Sequence, residues 1–326
     1  MLKMLVTAAI HMAQIESPPW RLQLGQNEDK RDYCYTSPMT IRTDYSRRFT
    51  LDKLDIRGQV VRLSAAWRDL INARNYPDYV TSYLGEIACV SVLVGAGLKH
   101  AGRATLQIQG GAAAKLAVVD CTHDLGIRGM ASFAVSAGGS SFAEWVAGGR
   151  VALTVAHADN GQMYQSIVPV SGISVAECFE HYFDQSEQLP THLWLAANED
   201  GAGALLLQKL PKADEKDADG WARVEQLAAS VTASELVGLD AEVLLTRLFH
   251  DEDVRLYEPK LVHSACRRDE EKVKTMLRSL GRAELDATLA ELGEIIVKDD
   301  MCNEEYRFDH AAVAELFKVR SDNTAK

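Results

Sequence analysis

The sequence predicts an α+β fold, with a strand-rich N-terminal body, a helical connector and a small C-terminal module. Three observations support this prediction. Short stretches that alternate between apolar and polar residues recur from residue 55 to residue 208, separated by Gly and Asn/Asp turns. A highly charged segment, residues 211–219, then interrupts the pattern. Two amphipathic helix patterns and a hairpin pattern follow between residues 262 and 308.

Length and charge limit the classes of protein to consider. The chain has 326 residues, which predicts two domains or one domain with satellites. Its formal net charge is −11, which argues against nucleic acid and anionic membranes as main partners. No run of about 18 apolar residues is free of charged or polar interruptions, so no membrane span is predicted.

The six cysteines are spread thinly along the chain, unlike the dense framework of a small disulfide-rich secreted protein. This usage predicts a reducing compartment and hence a cytoplasmic protein. Residues 1–48 start with a short apolar stretch and continue as a polar segment of mixed charge, for which we predict a disordered extension. An organellar presequence is the alternative for this segment.

The body is predicted to begin near Phe49. Residues 55–63 alternate like a strand, and Ser64 is placed to cap the helix that follows. A second helix is predicted for residues 78–99. Because its central part is apolar nearly all round, we expect this helix to be buried.

Further strands and one more helix complete the body. Gly110-Gly111 and Gly138-Gly139 are interpreted as hairpin turns, because neither pair is accompanied by a Walker lysine or a dinucleotide-binding pattern. The predicted strands are residues 104–109, 116–120, 129–135, 151–156, 164–170, 192–196 and 204–208, and the helix spans residues 175–188.

Residues 211–258 are predicted to form a helical linker. Its charged start precedes two amphipathic helix patterns, at residues 221–230 and 241–249. Modest hydrophobicity predicts few buried contacts, so we expect the linker to open at a low cost in free energy.

Residues 259–320 are predicted to form a small module, followed by a tail at residues 321–326. Apolar side chains recur at helical spacing before Gly281 and again before Gly293. A strand pattern after Gly293 and a returning strand at residues 306–308 predict a hairpin. A module of this size has a small apolar core and normally needs a disulfide or a bound metal for stability.

Two cysteines frame this module, Cys266 at its entrance and Cys302 in the hairpin turn. Three interpretations of the pair remain open. The cysteines are unremarkable packed thiols, or they form a disulfide that can open and close, or they bind zinc together with His263 and Asp299. The zinc interpretation follows from the tetrahedral, four-ligand preference of structural zinc.

No catalytic constellation is found in the sequence. It contains no HExxH or GxSxG motif, and no pair of carboxylates can be assigned to a cleft. We therefore predict a protein that is not an enzyme and needs no organic cofactor.

Several ordered motifs resemble the heat shock protein 33 family, the redox-regulated 33 kDa chaperonins, over residues 49–317. The blocks that end in SEQ-LPT and in LLLQKLP are the most specific of them. The matching motifs are Asp55-Ile56-Arg57-Gly58, Tyr83-Leu84-Gly85-Glu86, Ile127-Arg128-Gly129-Met130-Ala131, Tyr164-Gln165-Ser166-Ile167-Val168, residues 182–191, residues 202–211, residues 244–248 and residues 253–257.

The resemblance implies an ATP-independent holdase of the stress response. It implies a mixed α/β domain that binds unfolding client proteins, here residues 49–210, with a helical linker wrapped on it and a C-terminal redox module. In such a protein, four cysteines in the pattern C-x-C…C-x-x-C hold zinc as thiolates. Oxidation then releases the metal, unfolds module and linker and exposes apolar surface. Dimerisation accompanies this activation.

The sequence departs from that pattern in the module. Cys266 and Cys302 match the first and last cysteines, whereas Arg268 and Asp299 occupy the second and third positions. We hypothesise that Arg268 and Asp299 form an ion pair that replaces part of the bridging role of the metal.

Two functional hypotheses follow. The first is a holdase with an altered or lost zinc switch, which is constitutive, activated by heat, or controlled by the two remaining cysteines. Because a Cys266–Cys302 disulfide would stabilise the module, redox control would then have the opposite sign to that in the family. The second is an adaptor that docks one native partner through the face of the linker.

Overall fold

The computed structural model describes residues 43–111, 113–134, 141–170 and 174–317. Contacts divide the chain into two compact units, the first ending at Ala265 and the second beginning at Cys266. Helices and antiparallel sheets occur in both units, which confirms the predicted α+β class. The module therefore begins at Cys266, and residues 259–265, predicted to belong to it, are part of the body instead.

Two six-stranded sheets form the first unit. Sheet A has the strand order β10-β1-β2-β9-β8, with β11 also paired to β1, and sheet B has the order β12-β5-β4-β3-β6-β7. All pairs are antiparallel except β12 with β5. The strands are β1 (Tyr45–Leu51), β2 (Ile56–Leu63), β3 (Gly102–Gln109), β4 (Ala114–Thr122), β5 (Gly126–Phe133), β6 (Arg150–His157), β7 (Met163–Val168), β8 (Thr191–Ala197), β9 (Ala202–Lys209), β10 (Val254–Leu256), β11 (Lys260–Leu261) and β12 (His263–Ser264).

The helices of this unit include both predicted and unpredicted ones. The helices predicted within the body are confirmed with slightly shifted ends, and the short helices α3, α5 and α7 were not predicted. The helices are α1 (Ala65–Ile71), α2 (Asp78–Gly95), α3 (Phe142–Trp145), α4 (Val175–Glu187), α5 (Ala213–Lys216), α6 (Gly220–Ala228), α7 (Ala233–Gly238) and α8 (Ala241–Leu248).

The body starts earlier than the sequence predicts. Residues 45–48 were assigned to a disordered extension, but they belong to β1, which pairs with β2, β10 and β11. The rest of the predicted extension, residues 1–42, and the predicted turn at Gly138-Gly139 lie outside the described residues. The turn at Gly110-Gly111 does connect β3 to β4, and Gly110 has a φ of 79°.

Asp44, rather than Ser64, caps helix α1. The side chain of Ser64 makes no capping hydrogen bond. Instead, the buried Asp44 carboxylate accepts from the backbone N–H groups of Ser64, at 2.6 Å, and of Ala65, at 3.1 Å. It also accepts from the N–H of Ala66. A carboxylate placed there satisfies the free N–H groups of the first turn and interacts favourably with the helix dipole.

Helix α2 lies between the two sheets and organises the larger core of this unit. It contacts β3, β4 and β5 of sheet B and also β2, β8 and β9 of sheet A. Its side chains from Ile87 to Val92 are completely buried, which confirms the prediction from its all-round apolar sequence. No helix of the described residues is long and apolar enough to cross a membrane.

The second unit has its own small core. Two helices and a hairpin form as predicted, and a terminal helix was not predicted. The elements are α9 (Glu270–Leu280), α10 (Arg282–Leu292), β13 (Ile295–Asp299), β14 (Glu304–Phe308) and α11 (His310–Leu316). The buried side chains that pack together are Leu277, Leu285, Leu289, Ile295, Tyr306, Phe308, Val313 and Leu316.

Candidate functional site: a covered sheet face and a two-cysteine module

One face of sheet A forms a continuous apolar surface. Side chains alternate along a strand, so every second residue of β1, β2, β8 and β9 points away from α2. Phe49 lies at its centre, opposite Gly58 in the register of β1 and β2. A Cβ atom on Gly58 would collide with the ring of Phe49, so the glycine makes room for the ring. The face is lined by Tyr45, Phe49, Leu51, Ile56, Val60, Ala196, Leu205 and Leu207.

The linker covers this face. Helices α6, α7 and α8 pack their apolar sides against it, and the ring of Phe249 lies 6.1 Å from that of Phe49, centroid to centroid. The covering side chains are Val224, Ala228, Leu236, Val237, Ala241, Leu244, Leu245, Leu248 and Phe249.

The expectation of few buried contacts in the linker is wrong. The amphipathic patterns were recognised, but the sequence alone could not show that a complementary apolar face receives them. Burying one Leu or Phe side chain contributes roughly 1.5–3 kcal/mol. Detaching the linker therefore costs substantially more free energy than its modest hydrophobicity suggested.

Polar contacts also tie the linker to sheet A. The Tyr45 hydroxyl accepts a hydrogen bond of 2.7 Å from the backbone N–H of Ala241, at the start of α8. Arg62, whose side chain is 4% exposed, pairs with Asp240. These contacts set the position of α8 on the sheet, because the hydroxyl and the guanidinium both come from strands of the covered face.

The module brings the two predicted cysteines together. Cys266 and Cys302 form a disulfide with a Cα–Cα distance of 5.2 Å. Cys302 lies in the turn between β13 and β14, where the Asp299 carboxylate accepts from the backbone N–H of Met301, at 3.0 Å, and of Cys302, at 3.3 Å. Asp299 therefore shapes the turn that carries the second cysteine.

Arg268 does not pair with Asp299, contrary to the hypothesis. Its guanidinium donates to the Glu304 carboxylate at 3.1 Å and to the backbone carbonyl of Glu305 at 3.3 Å. It also lies over the Tyr306 ring, 4.7 Å from the centroid. Arg268 lies two residues after Cys266, and Glu304 lies two residues after Cys302. Arg268 thus forms a second bridge between the two segments that the disulfide joins. The reason for the different partner is local: Asp299 is engaged with its own turn.

Tyr306 supports this second bridge. Its ring is buried in the module core, and its hydroxyl accepts a 3.0 Å hydrogen bond from the backbone N–H of Asp269. Asp269 in turn caps α9 by accepting from the N–H of Lys272 at 3.0 Å. The sequence analysis did not identify Glu304 or Tyr306 as site residues. An acidic and an aromatic residue, two and four positions after Cys302, are the signal that could have indicated this bridge.

The residues present do not fit a zinc site of the kind the resemblance implies. The two sulfur atoms are bonded to each other, and a guanidinium at position 268 cannot ligate a metal. Asp299 Oδ1 accepts two backbone hydrogen bonds. His263 belongs to β12, which pairs with β5, and its Nε2 lies 3.8 Å from Asp124 Oδ2. In the parts of the chain that are described, no three His, Cys, Asp or Glu residues are grouped as metal ligands.

Comparison with known proteins decides the family. A model of the Hsp33 protein family matches residues 44–309. The chain belongs to the Hsp33 family. The match starts at the residue before β1, which agrees with the early start of the body.

Similar Hsp33 proteins are 33 kDa chaperonins of bacteria. The chaperonin of Methylobacillus flagellatus is 39% identical over 277 residues, covering 84% of this chain and 94% of the relative. That of Chromobacterium violaceum is 40% identical over 276 residues, with the same coverage of both chains. Family membership gives this protein a chaperone function in the stress response, and these relatives are named as chaperonins rather than as enzymes.

The fold agrees with that of a solved Hsp33 structure. The crystal structure of the 33 kDa chaperonin of Thermotoga maritima matches with a TM-score of 0.67 at 21% identity. The match covers 83% of this chain and 97% of the other.

Proposed function

We propose that this protein is an ATP-independent holdase, which binds unfolding proteins on the linker-covered face of sheet A and prevents their aggregation. The observation that carries the proposal is the apolar face centred on Phe49, covered by a separate segment of the same chain. Uncovering it would expose a contiguous apolar patch, and large patches of that kind are binding sites for other chains. Family membership supports this activity.

Heat is the trigger that fits the linker contacts best. Because the covering side chains are well buried, spontaneous opening is rare at low temperature. Heating shifts the balance toward the open state, since conformational entropy favours it increasingly. The same temperatures unfold the client proteins that a holdase must capture.

The two cysteines act, in this proposal, as a switch of opposite sign to the zinc switch of the family. In a reducing cytoplasm the thiols are free, and an oxidant closes the Cys266–Cys302 disulfide. That bond closes a loop with a sequence separation of 36 residues, which constrains the unfolded module by about 3–4 kcal/mol in the chain-entropy model. Oxidation therefore stabilises the module, and no metal is needed to hold it.

A pair of linker variants tests the holdase activity. Leu245→Ala removes a completely buried side chain of α8, whereas Val243→Ala removes one that is 48% exposed on the same helix. Light scattering of a thermally unfolding client, without ATP, measures suppression of aggregation. We expect Leu245→Ala to suppress at a lower temperature than the native chain, since the truncation weakens linker packing by about 2–5 kcal/mol. Val243→Ala should behave like the native chain.

The same assay distinguishes the adaptor alternative. A holdase suppresses aggregation of several unrelated clients, and its complexes contain non-native protein. We expect two copies of the chaperone in these complexes once the face is open. Failure of both the native chain and Leu245→Ala to suppress any client, together with saturable binding to one folded protein, would refute the holdase proposal. The predicted partners are therefore non-native chains, and the predicted location is the cytoplasm.

A further inference from the structure

A histidine of the body lies at the boundary with the linker. His192 is in β8, and strand alternation places it on the same side of the sheet as Trp194 and Ala196, which pack in the covered core. Among the described histidines, His192 is the one that contacts both sheet A and a linker helix. Its position makes it part of the interface that the holdase proposal requires to open.

Two carboxylates, one from the body and one from the linker, hold the imidazole ring. Nε2 of His192 lies 3.2 Å from Glu225 Oε1 of linker helix α6. Nδ1 lies 3.5 Å from Glu180 Oε1 of body helix α4. The Glu180 carboxylate is itself fixed, because its Oε1 accepts a 2.6 Å hydrogen bond from the backbone N–H of Leu193.

The ring is also stacked on the linker. Its centroid lies 5.5 Å from that of Trp221 of α6, with 19° between the planes. On the body side, Trp194 lies 6.0 Å away at 48°. An imidazolium is attracted to an indole face by the cation–π interaction, which a neutral imidazole lacks.

The geometry favours the charged form of His192. Both ring nitrogens face carboxylate oxygens, and only an imidazolium has an N–H on each nitrogen. The hydrogen bond to Glu180 is the main cause that raises the pKa of His192 above its usual value, and the charges of Glu225, Glu180 and Asp184 add to it. Partial burial opposes this rise.

We infer that His192 is a pH-dependent latch that holds linker helix α6 on the body when protonated and releases it when neutral. The latch deepens the proposed function, and only its consequence for client binding rests on that proposal. Neutralisation removes the N–H that faces Glu225 or the one that faces Glu180, and it weakens the stacking on Trp221.

The direction of the pH effect follows from the raised pKa. A histidine whose pKa is higher in the docked state strengthens docking below its undocked pKa, and this contribution is lost as pH rises through the docked value. Because Glu180 stays with the body, the pKa difference between the two states comes from the linker, where Glu225 raises the pKa. Other ties between linker and body include the ion pairs of Arg62 with Asp240 and of Arg47 with Glu242. The linker should therefore open more readily at pH 8 than at pH 6.

Hydrogen exchange of the α6 amides tests the latch without a client. After correction for intrinsic exchange rates, we expect α6 opening in the native chain to increase from pH 6 to pH 8, by up to about tenfold for each unit by which docking raises the pKa. His192→Gln should remove most of this increase. His181→Gln is the matched control, because His181 lies on α4 and contacts Gln185 of the same helix. Amides of α2 report any change in global stability.

Nuclear magnetic resonance titration gives a second, independent readout. The His192 ring should titrate above 6.5 in the native chain and at a lower pH in Glu225→Gln, which keeps the fold and removes the linker charge. A His192 pKa that is the same in the native chain and in Glu225→Gln, or α6 exchange in His192→Gln that keeps the native pH dependence, would overturn the latch. Suppression of client aggregation is then measured separately at pH 6 and pH 8. If α6 exchange shows the expected pH dependence but the protein suppresses client aggregation at neither pH 6 nor pH 8, the holdase proposal is refuted and the latch is retained.

Discussion

Gly203 of β9 lies directly beneath the backbone carbonyl of Leu236 in linker helix α7, so closely that even a Cβ atom would collide with the carbonyl oxygen. Gly203 is on the covered face of sheet A, between positions whose side chains point into the other core. The absence of a side chain at one residue of the sheet therefore allows α7 to lie flat on it. A single residue of the body, Gly203, thus determines how closely the linker approaches sheet A.

Gly203→Ala should push α7 away from the sheet and activate the holdase. A backbone carbonyl cannot rotate away as a flexible side chain can, so the helix must move. We expect suppression of client aggregation at a temperature at which the native chain is inactive. Gly238→Ala is the control, because a Cβ there meets no atom within 4 Å. Equal activity of the two variants and the native chain at all temperatures would contradict the prediction.

Arg268→Ala should loosen the hairpin of the module by about 1 kcal/mol. The variant loses a partly exposed ion pair, worth about 0.2–1 kcal/mol, and the cation–π contact with Tyr306. Hydrogen exchange of the β13 and β14 amides measures the change. A double-mutant cycle with Glu304→Ala should show coupling, whereas the cycle with Asp299→Ala should show none. Coupling to Asp299 instead would restore the pair hypothesised from the sequence.

Reduction should destabilise the module and leave the body unchanged. Dithiothreitol opens the Cys266–Cys302 bond, and the unfolded module regains the freedom worth about 3–4 kcal/mol. Exchange of the β13 and β14 amides should increase, while exchange in α2 stays the same. Cys266→Ser/Cys302→Ser should match the reduced chain and show no response to the reagent. A module that becomes more protected on reduction would show that the family's sign of control is retained.

Zinc should contribute little to the stability of the reduced protein. Only two of the four ligand positions hold thiols and Arg268 occupies a third, so the set is incomplete and a chelator should leave the protection of the module unchanged. Metal analysis of protein purified under reducing conditions, together with thiol counting, measures this directly. Close to one zinc per chain, released only when the thiols react, would contradict the prediction.

The stability of the body should fall as pH rises through about 7, because of Glu86 in α2. Burial raises the pKa of this carboxyl from 4.5 to about 7, and a hydrogen bond of 3.3 Å from Ser82 opposes the rise. A raised carboxyl pKa contributes stability that is complete below about 4.5 and is lost as pH rises through 7.

Glu86→Gln tests this pH dependence, because it keeps the shape of the side chain and stays neutral. Urea unfolding at pH 5 and pH 8 should show a smaller difference for the variant than for the native chain. The difference removed should be at most on the order of 3 kcal/mol. If the free energy of unfolding depends on pH in the variant as it does in the native chain, groups other than Glu86 cause that dependence. His192→Gln, measured in parallel, separates the contribution of the linker.

Local sequence patterns were sufficient to predict the helices and strands whose own residues show a clear apolar pattern. Helix α2 was predicted from an apolar sequence that only a fully buried helix can satisfy, and strands β2 to β9 were predicted from alternation and turn residues, whereas β1 was not predicted as a strand. The short strands β10, β11 and β12 were missed, because they pair at sheet edges and have too few residues for a pattern. Asp44 was missed as the cap of α1, since it lies 20 positions before Ser64 in the chain.

The sequence by itself determined the α+β class, the order of body, linker and module, and the loss of two of the family's four cysteines. These are properties of residue types and short-range spacing, which act within one helix or hairpin. Only the tertiary structure decided that the linker is well buried, that Arg268 pairs with Glu304, and that His192 contacts α6. Each of these depends on which distant segments meet, and apolar faces and charges with many suitable partners do not specify that choice locally.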